Sequence, residues 1–383
     1  MASKGALKTA ADGARLFKTS YARTIGNLKV DASTPCIVQG FTGKSSTFHS
    51  KLSLDMGTNI VGGVSPGKGG RTHLERPVFD SVKEAVKHVK PHATAVFVPP
   101  LLAADAIIDA IENEVPLIVS VAEGIPVHDQ IKVMSALHSQ DKSRLVGANS
   151  PGLVNPAGCR LGISPSIVAA PGPIGERSNH LSMSSLLLPS MINSIPAILC
   201  PGIAARSGTL SYEAAASCKS TGQSYIFGLG GDFYPGTRTA EALEFFMNDE
   251  STKGIILVGE VGGVMEEEAI DLLHSNGYLN AETGEPIKPI VGFISGRNVP
   301  PGQTFGHSGA VWRDGINSAE QKREAWKEVG IKVVDTIADT GPAIVGEMKR
   351  RGLIEGDNGD KGGSGFGLAD VLTLGLAESL MSS

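Results

Sequence analysis

Along the chain, apolar positions form two series of short runs, each run followed by an amphipathic stretch. From Pro35 onward the runs at 36–38, 60–61, 93–98, 117–121 and 145–146 read as buried strands. The stretches 81–89, 101–113 and 128–139 read as helices, and Pro100 stands at the start of the second, a favoured place for proline. A second series runs from about residue 203. Its strands are expected at 225–229, 255–259, 290–294 and 331–334, and its helices at 239–248, 266–275, 318–329 and 341–351. Strand–helix alternation of this kind implies a mainly parallel sheet with helices on both faces. The pattern predicts two doubly wound α/β units, 27–165 and 203–353, joined by a linker over 166–202. A tail, 354–383, begins with a Gly- and Asp-rich run expected to be disordered.

Composition narrows the function classes. The 383 residues include 48 Gly, which suits many tight strand-to-helix turns. A net charge of -5 and 5% aromatics argue against a nucleic-acid partner. No apolar run approaches the ~20 residues that span a bilayer, so no membrane association is expected. The cysteines, Cys36, Cys159, Cys200 and Cys218, form no C-x-x-C pair, so neither a metal site nor a disulfide framework is indicated. The N-terminus differs from the rest. Across residues 1–26, Lys4, Lys8, Arg15, Lys18 and Arg23 face the single acid Asp12, with Ser, Thr and Ala between them. That is the composition of a mitochondrial transit peptide, which puts the expected location in the matrix.

Candidate chemistry lies at strand ends, where open α/β sheets bind ligands. GFTGKSSTFH at 40–49 follows a strand and opens a helix, a place where backbone N–H groups approach a phosphate. SPGKGG at 65–70 brings Lys68 to a neighbouring turn, and VAEGIP at 121–126 ends a later strand. Three such loops point to a nucleotide-like ligand. Without a G-x-G-x-x-G and a ribose-binding acid ~20 residues on, a dinucleotide oxidoreductase is disfavoured. In the second unit, GQTFGHSGA at 302–310 sets His307 among glycines on a loop. Unprotonated imidazole is a good nucleophile near neutral pH, and the glycines leave room for a phosphoryl group. Glu260, in GEVGG at 259–263, is placed to accept the other imidazole N–H. RSGTLSYE at 206–213 starts a helix whose N-terminus suits a phosphate.

Seven motifs now stand in order: GFTGKxxTFH, PGKGGxTHL, the strand-end Glu123, NxPGxxNP at 149–156, RSGTLxYE, GExGG and PPGxxxGHxGA. Together they resemble the α subunit of succinate–CoA ligase over nearly all of 27–353. The resemblance implies an N-terminal Rossmann-like CoA-binding domain followed by a flavodoxin-like ligase domain. It implies that Thr42, Gly43, Lys44, Ser45, Lys68, Val121, Ala122 and Glu123 contact CoA. It also implies that His307 is phosphorylated with Glu260 as its partner, that Tyr212 lines the organic-acid site, and that no metal is held by this chain. The implied reaction converts succinate, CoA and NTP to succinyl-CoA, NDP and phosphate, reversibly, through the phosphohistidine. Mg²⁺ and NTP would be bound by a separate β subunit. Related ligases acting on malate or citrate, and a non-catalytic CoA-binding subunit, are the alternatives.

The chain also departs from the pattern. Ser46 replaces a usual glycine, which would tighten the approach to CoA. Ser150 stands where cysteine is common. Ala205 stands where serine usually precedes Arg206, removing a potential phosphate donor. Val311, Trp312, Arg313 and Asp314 replace a Lys- and Gly-rich stretch. Finally, Glu176 to Gly202 is a 27-residue run with no Asp, Glu, Lys or Arg after Arg177, where the family has almost nothing. It would interrupt the strand feeding the RSGT helix. GER at 175–177 and CPG at 200–202 can be encoded with splice donor and acceptor sequences, so the run reads as a retained intron, a reading that cDNA sequencing would decide.

Overall fold

The computed structural model describes residues 19–171, 200–303, 306–312 and 317–354. After a 3₁₀ segment, Tyr21–Leu28, the chain forms β1 (Cys36–Gln39), α1 (Lys44–Asp55), β2 (Ile60–Val64), β3 (Thr72–His73), β4 (Arg76–Phe79) and α2 (Val82–Val89). It continues through β5 (Ala93–Val96), α3 (Pro100–Glu112), β6 (Leu117–Ser120), α4 (Val127–His138) and β7 (Arg144–Val146). These seven strands make one sheet in the order β3-β4-β2-β1-β5-β6-β7, parallel except for the β3–β4 pair.

The second sheet is built from β8 (Gly152–Asn155), β9 (Cys159–Gly162), β10 (Pro201–Ala205), β11 (Ile226–Gly228), β12 (Gly254–Glu260), β13 (Ile290–Ser295) and β14 (Lys332–Val333). Its helices are α5 (Gly208–Ser217), α6 (Thr239–Asn248), α7 (Met265–Ser275), α8 (Ala319–Glu328) and α9 (Thr340–Arg350). The strand order is β14-β13-β12-β10-β11-β8-β9, with β8 antiparallel to both neighbours. In each sheet the parallel series starts near the middle, at β1 or β10, and is carried to both sides. That reversal opens a crevice at the carboxyl ends of the central strands.

Two sequence-drawn boundaries move. The first unit was expected to run to 165, but β8 and β9 pair into the second sheet, so the first sheet ends at β7. These are short strands in a glycine-rich stretch that carries little periodicity. The transit peptide was expected to reach residue 26, yet Tyr21 and Thr24 are buried. Tyr21 Oη donates to Gly236 O at 2.6 Å and accepts the Leu145 N–H at 3.1 Å. Arg144, fully buried, stacks over the Tyr21 ring at 4.4 Å and donates to Tyr21 O and Glu241 Oε1. Residues from about Tyr21 are therefore part of the folded body, and residues 1–18 lie outside the described ones. Within the expected insert, 176–199 likewise lies outside the described residues, while Pro201 and Gly202 form the first two positions of β10, opposite Gly254 and Ile255.

One apolar cluster is common to both sheets, running from Val38 and Ala95 to Leu153, Leu161, Phe227 and Leu257. Two further clusters lie under the helices, one around Ile37, Ile107 and Ile118, the other around Ile203, Ile256 and Ile344. Each fully buried Leu, Ile or Phe side chain contributes about 1.5–3 kcal/mol of transfer free energy. The shared cluster ties the two units together and fixes how their loop-bearing edges meet.

Candidate functional site

The first set of loops crowns β1, β2 and β6. Gly40 ends β1 with φ +78°, and a Cβ there would lie 2.8 Å from Phe97 O, so only glycine lets this turn close against the end of β5. Gly43 caps α1 without a side-chain partner, and Thr42, Gly43, Lys44 and Ser45 are open to solvent or half open. The N–H groups of a first helical turn have no helical acceptors, which makes this turn an anion cradle. Lys68, exposed on the neighbouring loop, donates to Thr42 Oγ1 at 2.9 Å, and Ser65 Oγ accepts from Thr42 N at 3.2 Å. Asp80 Oδ1 accepts from Gly69 N at 2.8 Å and holds the lysine loop in place. Lys68 therefore stands beside the cradle, as the motif spacing suggested. Val121, Ala122 and Glu123 follow β6; Ala122 is buried and Glu123 exposed.

The Ser46 expectation is corrected. Ser46 is buried, and its hydroxyl donates back to Gly40 O at 2.6 Å, with Phe41 O and Gly43 O close by. It braces the turn from beneath and does not narrow the ligand side. His49, one turn further along α1, is also turned inward. Arg160 of β9 reaches His49 O at 2.9 Å and His49 Nδ1 at 3.2 Å, and the ring stacks on Phe97. Burial, with the Arg160 charge adding to it, pushes the His49 imidazole down to about 4.

The second set of loops crowns β10, β11, β12 and β13. His307 Nδ1 and Glu260 Oε2 are 2.6 Å apart. Glu260 closes β12 and is almost fully buried, with its side chain 6% exposed, while that of His307 is 24% exposed. The other carboxylate oxygen forms an ion pair with Arg206, which follows β10 and is buried. Arg206 also donates to Asp232 O at 3.0 Å and to Gly230 O at 3.4 Å, after β11. The Glu260 N–H is held by Glu266 Oε1 at 3.1 Å, and Glu266 pairs with buried Lys322. The imidazole lies on Gly231, where a Cβ would be 2.5 Å from its Cδ2. Gly309 packs the same way on Arg206, where a Cβ would be 2.8 Å from Nη2. With Nδ1 committed to Glu260, the partly exposed ring has Nε2 as its remaining nitrogen.

The other departures now have places. Ser150 Oγ donates to Gly228 O at 2.6 Å and accepts from Gly152 N at 2.9 Å, joining β8 to β11. Ala205 is fully buried in the apolar cluster below β10, so a serine hydroxyl there would sit in that core and not among the exposed loops, which corrects the expected loss of a phosphate donor. Trp312 Nε1 donates to Val299 O at 3.0 Å and pins the base of the histidine loop; Arg313 and Asp314 lie outside the described residues. Tyr212 on α5 is not brought to His307. Its partners are Ser164 and the charge of Arg160, it makes no hydrogen bond to His307 or Glu260, and burial pushes its hydroxyl up to about 12.

Sequence reasoning named the ends of this arrangement and missed the middle. Asn149 N donates to Ala122 O at 2.9 Å, and Gly231 N donates to Asn149 O at 3.2 Å. Two backbone hydrogen bonds thus lead from the loop after β6 to the glycine beneath His307. Alongside, Gln130 Nε2 of α4 donates to Ile125 O at 2.9 Å and to Asp232 Oδ2 at 3.2 Å. The GGD run at 230–232 after a strand was the available signal for this region. Among the described residues no cluster of His, Cys, Asp and Glu could hold a metal, and no helix is long and apolar enough to cross a membrane.

Residues 31–124 match the family described as "CoA binding domain" and residues 205–331 match "CoA-ligase". Succinate–CoA ligase [ADP-forming] subunit alpha of Staphylococcus epidermidis is 35% identical over 328 residues, covering 85% of this chain and 96% of that protein. The protein of the same name from Staphylococcus aureus is 34% identical over the same shares. Two solved structures share the fold. ATP citrate lyase from Methanothrix soehngenii, in complex with citrate and coenzyme A, has a TM-score of 0.69 at 19% identity, covering 91% of this chain. A dinucleotide-forming acetyl-coenzyme A synthetase from Ca. Korarchaeum cryptofilum has a TM-score of 0.57 at 17% identity, covering 81% of this chain. The chain spans 56% and 59% of those two longer chains. With a CoA-binding unit followed by a CoA-ligase unit, and relatives of one name matched along almost their whole length, the chain belongs to the succinate–CoA ligase α-subunit family.

Proposed function

We propose that this chain binds CoA through the loops after β1, β2 and β6, carries a phosphoryl group on His307, and works with a nucleotide-binding β subunit to interconvert succinate, CoA and NTP with succinyl-CoA, NDP and phosphate. The observation that carries the reading is the Arg206–Glu260–His307 series. A buried carboxylate held by a buried guanidinium orients the imidazole through Nδ1 and leaves Nε2 as the nucleophile. Phosphorylation leaves positive charge on the ring, which Glu260 offsets. The phosphoryl group then passes to the organic acid, and the CoA thiol captures the acyl phosphate. Splitting the condensation into group transfers is the gain of covalent catalysis. Mg²⁺ and NTP belong to the β subunit in this reading, and the location is the mitochondrial matrix, with a leader that ends upstream of Tyr21.

The test is labelling. Mixed with its β subunit, Mg²⁺ and γ-labelled NTP, the chain is expected to take up acid-labile, alkali-stable label, as a phosphoimidazole would be. His307→Asn should abolish labelling and turnover together. A His307→Asn protein that still carries the label defeats the assignment. An acid-by-nucleotide activity screen of the same complex separates succinate from malate and citrate.

A further inference from the structure

The thioester-forming step needs a proton acceptor, a role that none of the motif residues has so far been given. When the CoA sulfur attacks an acyl phosphate, the S–C bond forms, the acyl C–O bond breaks, the thiol loses a proton and the departing phosphate gains one. An alkyl thiol ionises near ~8.5, so at neutral pH it needs a base. That base has to stand between the loop that receives the thiol end of CoA and the pocket that handles phosphate.

We propose that Asp232 is this base: its carboxylate takes the thiol proton as sulfur attacks and returns it to the leaving phosphate. This rests on the reading of the chain as a CoA ligase. Asp232 sits where two networks meet. Its side chain accepts from Gln130 of α4, whose amide also holds Ile125 O in the loop that begins with Val121, Ala122 and Glu123. Its backbone carbonyl is held by Arg206, and the residue before it, Gly231, is the surface on which His307 lies. The residue is therefore tied through its carboxylate to the CoA-facing loop and through its backbone to the phosphohistidine pocket. The Gln130 Oε1 atom is buried with no hydrogen-bond partner, an acceptor in reserve for a proton-bearing neighbour.

The electrostatics fit a proton shuttle. Burial raises the Asp232 carboxyl above the ordinary range and Glu123 raises it further, whereas Asn149, His307 and Arg206 act to lower it. A carboxyl raised above its ordinary range is the stronger base once ionised. Glu123, the other carboxylate nearby, is exposed and lies on the CoA side only. Asp232 lies between the two sides, where one carboxylate can serve both the incoming thiol and the outgoing phosphate.

The experiment uses the complete α–β complex and separates two partial reactions. Asp232→Asn should take up label from γ-labelled NTP within about threefold of the unmodified chain. On adding succinate and CoA, thioester formation should fall about 100-fold or more at pH 7, in the range removed with a general base. The rate should then rise about tenfold per pH unit toward ~8.5, as free thiolate replaces the lost base. Acyl phosphate should accumulate and be trapped by hydroxylamine as a hydroxamate. Asp232→Glu, which keeps the carboxylate, should be slower than Asp but retain its pH profile, and it is the working variant if the Asn protein does not fold. Thioester formation by Asp232→Asn within threefold of normal with an unchanged pH profile overturns the proposal. So does equal loss in both partial reactions, or a Glu123→Gln variant that carries the pH-dependent loss instead. If the unmodified chain takes up no label, the ligase reading itself fails and this proposal goes with it.

Discussion

The two ligand-facing regions are built on the same kind of strand-end crevice but by opposite means. Around β1 and β2 the cradle is backbone: Gly40 and Gly43 shape a turn, α1 offers unpaired N–H groups, and the charges, Lys44 and Lys68, are exposed. Around β10 and β12 the working groups are buried side chains, Arg206, Glu260, Glu266 and Lys322, with His307 alone reaching outward. A backbone cradle binds an anion with groups the fold must supply anyway, and its exposed lysines add affinity without being needed for folding. A buried ionic series carries a desolvation cost that only mutual pairing offsets. Binding in the first region should therefore be adjustable one residue at a time, whereas in the second region chemistry and stability should fail together.

The strongest way to break that contrast is at Arg206. Arg206→Met removes one partner of Glu260 and leaves the carboxylate buried, with Gly309 no longer resting on a guanidinium. Loss of one partner of a buried pair costs about 3–5 kcal/mol, so the denaturant midpoint of the variant should fall by a corresponding amount. His307 labelling should slow in the protein that remains folded. A variant as stable as the parent would mean that the buried series is not structural, and the contrast would not hold.

Lys68→Ala sharpens the other side. It removes an exposed charge beside Thr42, so folding stability should stay within about 0.5 kcal/mol of the parent. CoA affinity should fall by about 1–3 kcal/mol, roughly 5- to 150-fold in Kd, because a charge-assisted bond to phosphate is lost. Calorimetric titration of CoA and a denaturation curve on the same sample check both halves. Unchanged affinity would remove Lys68 from the cradle.

How much of this was legible beforehand follows the same division. The backbone cradle was readable because glycine spacing at a strand end states the geometry directly, and the order GFTGK then PGKGG put Lys68 beside Thr42. His307 and Glu260 were readable because glycines on both sides of a histidine leave few structural explanations. Arg206 was visible only as a motif letter, since its role depends on which carboxylate it meets after folding. Asp232, Asn149 and Gln130 were not singled out as chemistry, because their meaning arises where two sheets come together. Position alone also misled. Ser46 and Ala205 were read from their place in the motif as facing a ligand, whereas both side chains point into the protein. β8 and β9 were missed for a related reason: short and glycine-flanked, they form a hairpin that joins the sheet only because β8 pairs with β11, more than 60 residues further on.

The smallest predicted effect lies at the seam between the two regions. His49 is on the helix that opens the CoA cradle, and Arg160, from the second sheet, holds both its carbonyl and its ring nitrogen. An imidazole whose proton affinity is depressed to about 4 in the folded protein, from an ordinary value near 6.5, prefers to remain neutral there. The unfolded chain binds the proton more readily, so the contribution is fully present above about pH 6.5 and is lost as pH falls through the window down to about 4. Protonation would also set the imidazolium against the Arg160 guanidinium, loosening the first region from the second at low pH. His49→Gln keeps an acceptor for Arg160 but cannot titrate. Its stability, measured by denaturant unfolding at half-unit steps from pH 7 to pH 4, should decline less steeply than that of the parent, with the two curves diverging only below about pH 6.5. Parallel curves would mean that His49 is not held neutral at the seam. A divergence that begins only in the last steps toward pH 4 would belong to the carboxylates, whose ordinary range lies there.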